Sequence, residues 1–146
     1  MTTEADVRVY LMTAGVSGFS SNNIFVGPPR KATGLSSASL SARSMFIMET
    51  GGAGEPHEFL DGSSNTYRTA EVQIRIRGLV NDYLNTRVAA EAVWVKMQKV
   101  STSSMGSTTS QAYCRIVNIT SAPMYLGVDD LERDEFVVNT RLEHGG

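Results

Sequence analysis

The stretch that most limits the fold is residues 67–78, YRTAEVQIRIRG. Taken two at a time, Ala70, Val72, Ile74 and Ile76 form an apolar row, and Thr69, Glu71, Gln73, Arg75 and Arg77 form a polar one. A period of two sends successive side chains to opposite faces of an extended chain, so this segment reads as a strand with one buried face. A lone strand is not stable in water, and its apolar row has to be covered by other elements of the chain.

Those elements can be read on either side of it. Residues 4–14, EADVRVYLMTA, place Val7, Tyr10, Leu11 and Ala14 at helical spacing and predict a short first helix. Ile24, Phe25 and Val26 predict a short strand stopped by Gly27, Pro28 and Pro29, and proline's missing N–H places it at a sheet edge or turn. RSMFIMET (43–50) is a second strand. After the alternating strand, Asn81 and Asp82 offer an N-cap for a helix over DYLNTRVAAEAVWVKMQK. Its inward row is expected at Leu84, Val88, Ala92 and Val95, with Trp94 at one margin. Lys96 and Lys99 suit the negative end of its dipole. AYCRIVNIT (112–120) and FVVNTRLEH (136–144) are further strands, the last with Val138 and Leu142 on one side.

Three segments read as connections. GGAGEPHEFLDGSSN (51–65) has four glycines, one proline and little periodicity, so a long loop is expected near residues 50–66. STSSMGSTTSQ (101–111) is too polar to pack, and SAPMYLGVDDLERDE (121–135) is rich in turn formers. Strands interrupted by helices at unequal spacing predict an α+β fold: one domain over 1–146, a mostly antiparallel twisted sheet and two helices on one face. The 146 residues are enough for one domain with a sizeable core.

Charge and chemistry narrow the function. Thirteen basic against fifteen acidic residues leave a formal charge of −2, which does not favour holding a nucleic acid. The single cysteine, Cys114, excludes an internal disulfide and reads as a small core residue in its alternating run. The first residues carry early acids and no long apolar run, so neither a secretory signal nor a membrane span is expected. His57 and His144 stand far apart and without the spacing of a helical zinc motif, so no metal site is expected. The acidic run Asp129, Asp130, Glu132, Asp134 and Glu135 lacks the alternating positions and central glycine of a calcium loop, and reads as a solvated turn. No nucleophile, base and oxyanion donor fall into a known pattern, so no enzyme and no cofactor are expected. A small-ligand module has only Trp94 to suggest it, and a helix-borne tryptophan is ordinary core.

Several of these pieces occur in an order that resembles a known family. They are NNIFVGPPR, a glycine-rich loop, AEVQIRIRG, RVAAEAVWVKMQK, and APMYLGVDDLERDEFVVNTRL. Together they resemble the tail-terminator or minor capsid proteins of long-tailed bacteriophages, over about Asn22 to Leu142. The C-terminal part is the most specific: Pro123, Leu126, Gly127, Asp129 and a strand reaching Asn139 follow at family-like intervals. The tract 101–111 departs from it, being longer than this loop usually is. The resemblance implies a structural virion protein made in the host cytoplasm. It implies a homo-oligomeric ring, commonly a hexamer, at the head–tail junction. That ring caps the tail-tube protein, docks to the head–tail connector, and leaves a lumen through which DNA passes without specific binding. Another neck or head-completion protein, or a tail-tube subunit, is the alternative. Ring subunits meet through two unlike patches. Glu71, Gln73, Arg75 and Arg77 are expected to face a neighbouring subunit or the lumen, with Asp129, Asp130 and Glu132 of a neighbour opposite. Alternating charges on a half-exposed sheet face are also what plain solubility requires.

Overall fold

The computed structural model describes residues 3–28, 43–51, 67–99, 103–107, 110–119 and 122–145. Among them are two helices, α1 (Thr3–Ala14) and α2 (Tyr83–Gln98). There are seven strands: β1 (Ile24–Val26), β2 (Ser44–Gly51), β3 (Tyr67–Val80), β4 (Ser103–Ser107), β5 (Ser110–Ile119), β6 (Met124–Val128) and β7 (Arg133–Gly145). The strands form one sheet in the order β1-β2-β3-β7-β5-β4, with β6 also on β7. Only β1 and β2 run parallel; every other pairing is antiparallel. The fold is α+β.

β3, the strand legible from its alternation, is 14 residues long and lies at the sheet's centre. β2 pairs with its middle, from Glu71 to Arg77, while β7 pairs along its full length from Tyr67↔Gly145 to Val80↔Arg133. Its apolar row is buried as the period of two requires: Ala70, Val72, Ile74 and Ile76 are each at most 1 % exposed. Val72, Ile74 and Ile76 pack with Met45 and Ile47 of β2, Phe136, Val138 and Leu142 of β7, Val7 and Leu11 of α1, and Ala89, Ala90, Val93 and Met97 of α2. Both helices therefore cover the same face. α1 lies along β1 and β2 yet also reaches β4, the strand at the other end of the sheet order, so the sheet coils around it. The Tyr10 hydroxyl donates to the Lys96 carbonyl at 2.8 Å and so ties α1 to the last turn of α2.

Two segments read as connections contain strands. Residues 103–107, within the Ser/Thr-rich tract, pair with β5 from Ser103↔Cys114 to Ser107↔Ser110. A polar sequence can hold a sheet edge because the ladder is made by backbone groups, and an edge strand need not bury a face. Residues 124–128 form β6, and β6 and β5 lie on the same side of β7, one beyond the other. Ile119 pairs with Thr140 and Met124 with Val137, so five steps on one side span three on the other. β5 and β6 thus follow one another along the same edge of β7. The predicted loop near 50–66 lies outside the described residues beyond Gly51, as does His57.

α2 is where its sequence says, but rotated. Leu84 is 74 % and Val88 63 % exposed, Val95 is also exposed, and Ala92 is half-buried. The buried row is Thr86, Ala89, Ala90, Val93 and Met97. At about 100° per residue the two rows lie on opposite sides of the helix. Size decides between them. Small residues let the helix come down onto the backbone of β3, where a Cβ added to Gly78 would fall 2.8 Å from Thr86 Cβ and 2.9 Å from its Cγ2. Leucine at that point of closest approach would hold the helix off the sheet. Asp82 stands at the N-cap position without a side-chain bond to the helix backbone, and its carboxylate takes Asn85 Nδ2 at 2.7 Å and Arg43 at 3.4 Å instead.

Candidate functional site

The sheet face opposite the helices carries the polar row, and the structure places its members in a graded ladder. Glu71 is exposed and pairs with the exposed Arg141 of β7 at 3.1 Å. Gln73, half-buried, donates to Asn139 Oδ1 at 3.4 Å. Arg75 reaches Glu135 Oε2 at 3.7 Å. Arg77 is only 5 % exposed, and its Nε lies 3.1 Å from Glu135 Oε1 and 3.4 Å from Asp129 Oδ2. Its guanidinium stands 5.0 Å over the Phe46 ring, and Phe46 in turn stacks on Phe25 at 5.5 Å. Arg133 completes the run with Nη2 2.7 Å from Asp129 Oδ2.

This corrects the expected contact between Arg75, Arg77 and the acids of a neighbour. The acidic segment does meet the arginine row, but within one chain, because the β6–β7 hairpin folds Asp129 and Glu135 back onto β3. Arg77 and Asp129 are committed internally and are not surface groups. Asp130 and Glu132, by contrast, are exposed at the hairpin tip, and among the described residues no ion pair engages either. Sequence reasoning missed Arg133 as a member of the network and did not single out Glu135 within the acidic run 129–135. Register supplies the missing signal: Arg77↔Glu135 are direct cross-strand partners, and opposite charges in such pairs attract.

Asp129 organises the hairpin tip. Its Oδ1 accepts from the Leu131 N–H at 3.0 Å and the Arg133 N–H at 2.9 Å, and Glu132 closes the turn at φ 59°. Burial alone raises the Asp129 carboxyl pKa. The hydrogen bonds from Arg133 and Leu131 and the Arg133 charge outweigh it, so the net pKa is lowered. A lowered folded-state value means stability that is complete above the ordinary carboxylate range and is lost as pH falls through the folded value. Asp129→Asn is therefore expected to lower the unfolding midpoint at neutral pH. Its deficit should shrink as pH falls below about 4, where the unfolded carboxyl also takes up protons, as followed by thermal melts across pH.

A second surface is apolar. α2 turns Leu84, Val88 and Val95 outward, and β6 exposes Met124, Tyr125, Leu126 and Val128, with Leu131 exposed at the tip. An aromatic knot joins the two elements: the Tyr83 and Tyr125 rings meet edge-on at 5.1 Å, and both lie against Phe136, at 5.4 and 5.2 Å. The Tyr125 hydroxyl donates to Asp134 Oδ1 at 2.8 Å, and the Asn81 N–H reaches the Glu132 carbonyl at 3.4 Å, which fixes the hairpin tip beside the start of α2. β6 pairs with β7 on one edge only, among the described residues. An apolar strand with an unpaired edge invites another chain. The legible sign of this surface is that α2 carries two apolar rows, while a helix at the surface of a monomer needs one.

Among the described residues no three His, Cys, Asp or Glu side chains gather into a metal-holding group, and no helix is long and apolar enough to cross a membrane. The carboxylates of the ladder are already held by arginines, which suits them to fixing the hairpin against the sheet rather than to moving protons. Comparison with protein-family models and with curated proteins finds no match.

Proposed function

We propose that the chain is a structural subunit of a bacteriophage virion, a tail terminator that assembles as a ring at the head–tail junction. The ring caps the tail-tube protein, offers its other side to the head–tail connector and leaves an open centre for DNA. One observation carries this reading: α2 is apolar on two opposite sides and only one of them is buried within the chain. A protein that works alone gains nothing from Leu84 and Val88 in water, whereas a subunit buries them on assembly. The order of sequence elements, which resembles that of the terminator family, supports this setting for the assembly. The exposed end of the polar row, Glu71 with Arg141, is left to face solvent or the lumen.

Electron microscopy of the purified chain, alone and mixed with tail tubes, tests the reading. Annular particles with an open centre, or caps confined to one end of each tube, are expected. Long filaments of the chain alone would make it a tube subunit. A monomer at every concentration that ignores tube ends would overturn the proposal.

A further inference from the structure

We infer that the contact between successive subunits is the β6–β7 hairpin of one copy seated on the outer row of α2 in the next, head to tail. This rests on the ring reading, which needs two unlike patches on each subunit. The seat is Leu84, Val88 and Val95, which lie within about 40° of one another around the helix axis. The insert is Leu126 and Val128, exposed on an edge strand that carries no lysine, proline or inward charge to keep other chains away, together with Leu131 at the hairpin tip.

Charge gives the contact its direction. Asp130 and Glu132 stand exposed at the hairpin tip. The tip lies beside the first turn of its own α2, held there by the Tyr83–Tyr125 contact and the bond from Asn81 to Glu132. Lys96 and Lys99 stand at the other end of that helix, with no ion pair among the described residues. Sixteen residues at 1.5 Å each separate the two ends by about 24 Å, too far for a subunit to neutralise its own lysines with its own tip. A hairpin arriving from a neighbour, with its apolar flank on Leu84, Val88 and Val95, can carry its acids to the lysine end. Such a contact leaves one hairpin unused at one end of an open chain of subunits and one seat unused at the other, and only closure satisfies both.

Two substitutions, each confined to one patch, test this. Val88→Glu spoils the seat and Leu126→Glu spoils the insert; both positions are exposed, so thermal melts at low concentration should match the wild type. In sedimentation velocity each variant alone is expected to assemble at least tenfold more weakly than the wild type. Mixed in equal amounts they should form a 1:1 pair and nothing larger, through the one contact left intact. The paired reversals Lys96→Glu/Lys99→Glu and Asp130→Lys/Glu132→Lys should each weaken assembly, and mixing them should restore it with the two chains alternating, because both contacts between unlike subunits are then attractive. If the wild type forms rings that neither Val88→Glu nor Leu126→Glu disturbs, the inference fails and the ring reading stands. If the wild type stops at a dimer that both variants abolish, the same faces meet about a two-fold axis, and the head-to-tail contact and the ring fall together. A wild type that stays monomeric with tail tubes present removes the ring reading itself.

Discussion

Ile74→Asp is expected to leave the chain unfolded at room temperature. Ile74 has no exposed surface and lies between Ile47 of β2 and Val138 of β7, in the middle of the face that both helices cover. A carboxylate there has no cation to meet, and an unpaired buried charge costs several kcal/mol, against a total stability of about 5–15 kcal/mol for a domain. Gln73→Asp, one residue earlier, turns its charge to the half-buried opposite face, where Asn139 Nδ2 can donate to it. It should fold, with a loss of about 1 kcal/mol or less. Circular dichroism and urea denaturation of the two variants side by side check the register of β3. Equal tolerance of both changes would mean that the strand does not bury one row.

Glu135→Ala carries the second large effect. It leaves the Arg77 guanidinium buried with Asp129 still paired to it at 3.4 Å, and removes the Arg75 contact at 3.7 Å. Removing one partner of a buried ion pair costs about 3–5 kcal/mol, and the surviving Asp129 contact puts this loss toward the lower end. Arg77→Met combined with Glu135→Leu removes both charges and keeps the volume, and should recover most of it. The two singles and the double, compared by urea midpoints at constant slope, give the coupling directly. A Glu135→Ala change within about 0.5 kcal/mol of wild type, the ordinary surface range, would mean that the ladder is not holding the hairpin to the sheet.

How far the sequence discloses this arrangement differs from element to element. β3 was legible because its two rows differ sharply in polarity, so only one register buries the apolar one. β1 was legible from Gly27 and the prolines that follow it, and it does lie at the sheet's edge. α2 was legible as a helix but not in its rotation. Leu84, Val88, Ala92 and Val95 look like a core row, yet the choice of side rests on Gly78, a residue of another element whose missing Cβ admits Thr86 and the alanines. Periodicity finds apolar rows; it does not say which of two the sheet will accept. β4 and β6 were hidden for different reasons. Ser103–Ser107 has no apolar row to reveal it, and Met124–Val128 is followed at once by a turn-forming acidic run that masks a hairpin.

The same limit applies to the charged row. Arg75, Arg77 and the acids at 129–135 were recognisable as complementary groups. Whether they meet within a chain or between chains depends on where the β6–β7 turn falls, and that turn is set by Asp129 accepting two backbone N–H groups. With those charges satisfied internally, the exposed surface beside the hairpin is the apolar one formed by α2 and β6.

In the proposed ring, another chain covers the outer row of α2. Thiol labelling at that row tests it most directly, using Val88→Cys in a Cys114→Ser background, with alkylation followed over a range of protein concentrations and with tail tubes added. We expect rapid labelling in dilute protein and protection of at least tenfold on assembly, with a control cysteine at exposed Asn85 labelling differently from Val88. Labelling of Val88→Cys at the rate of an unhindered thiol under every condition, assembled particles included, would contradict it.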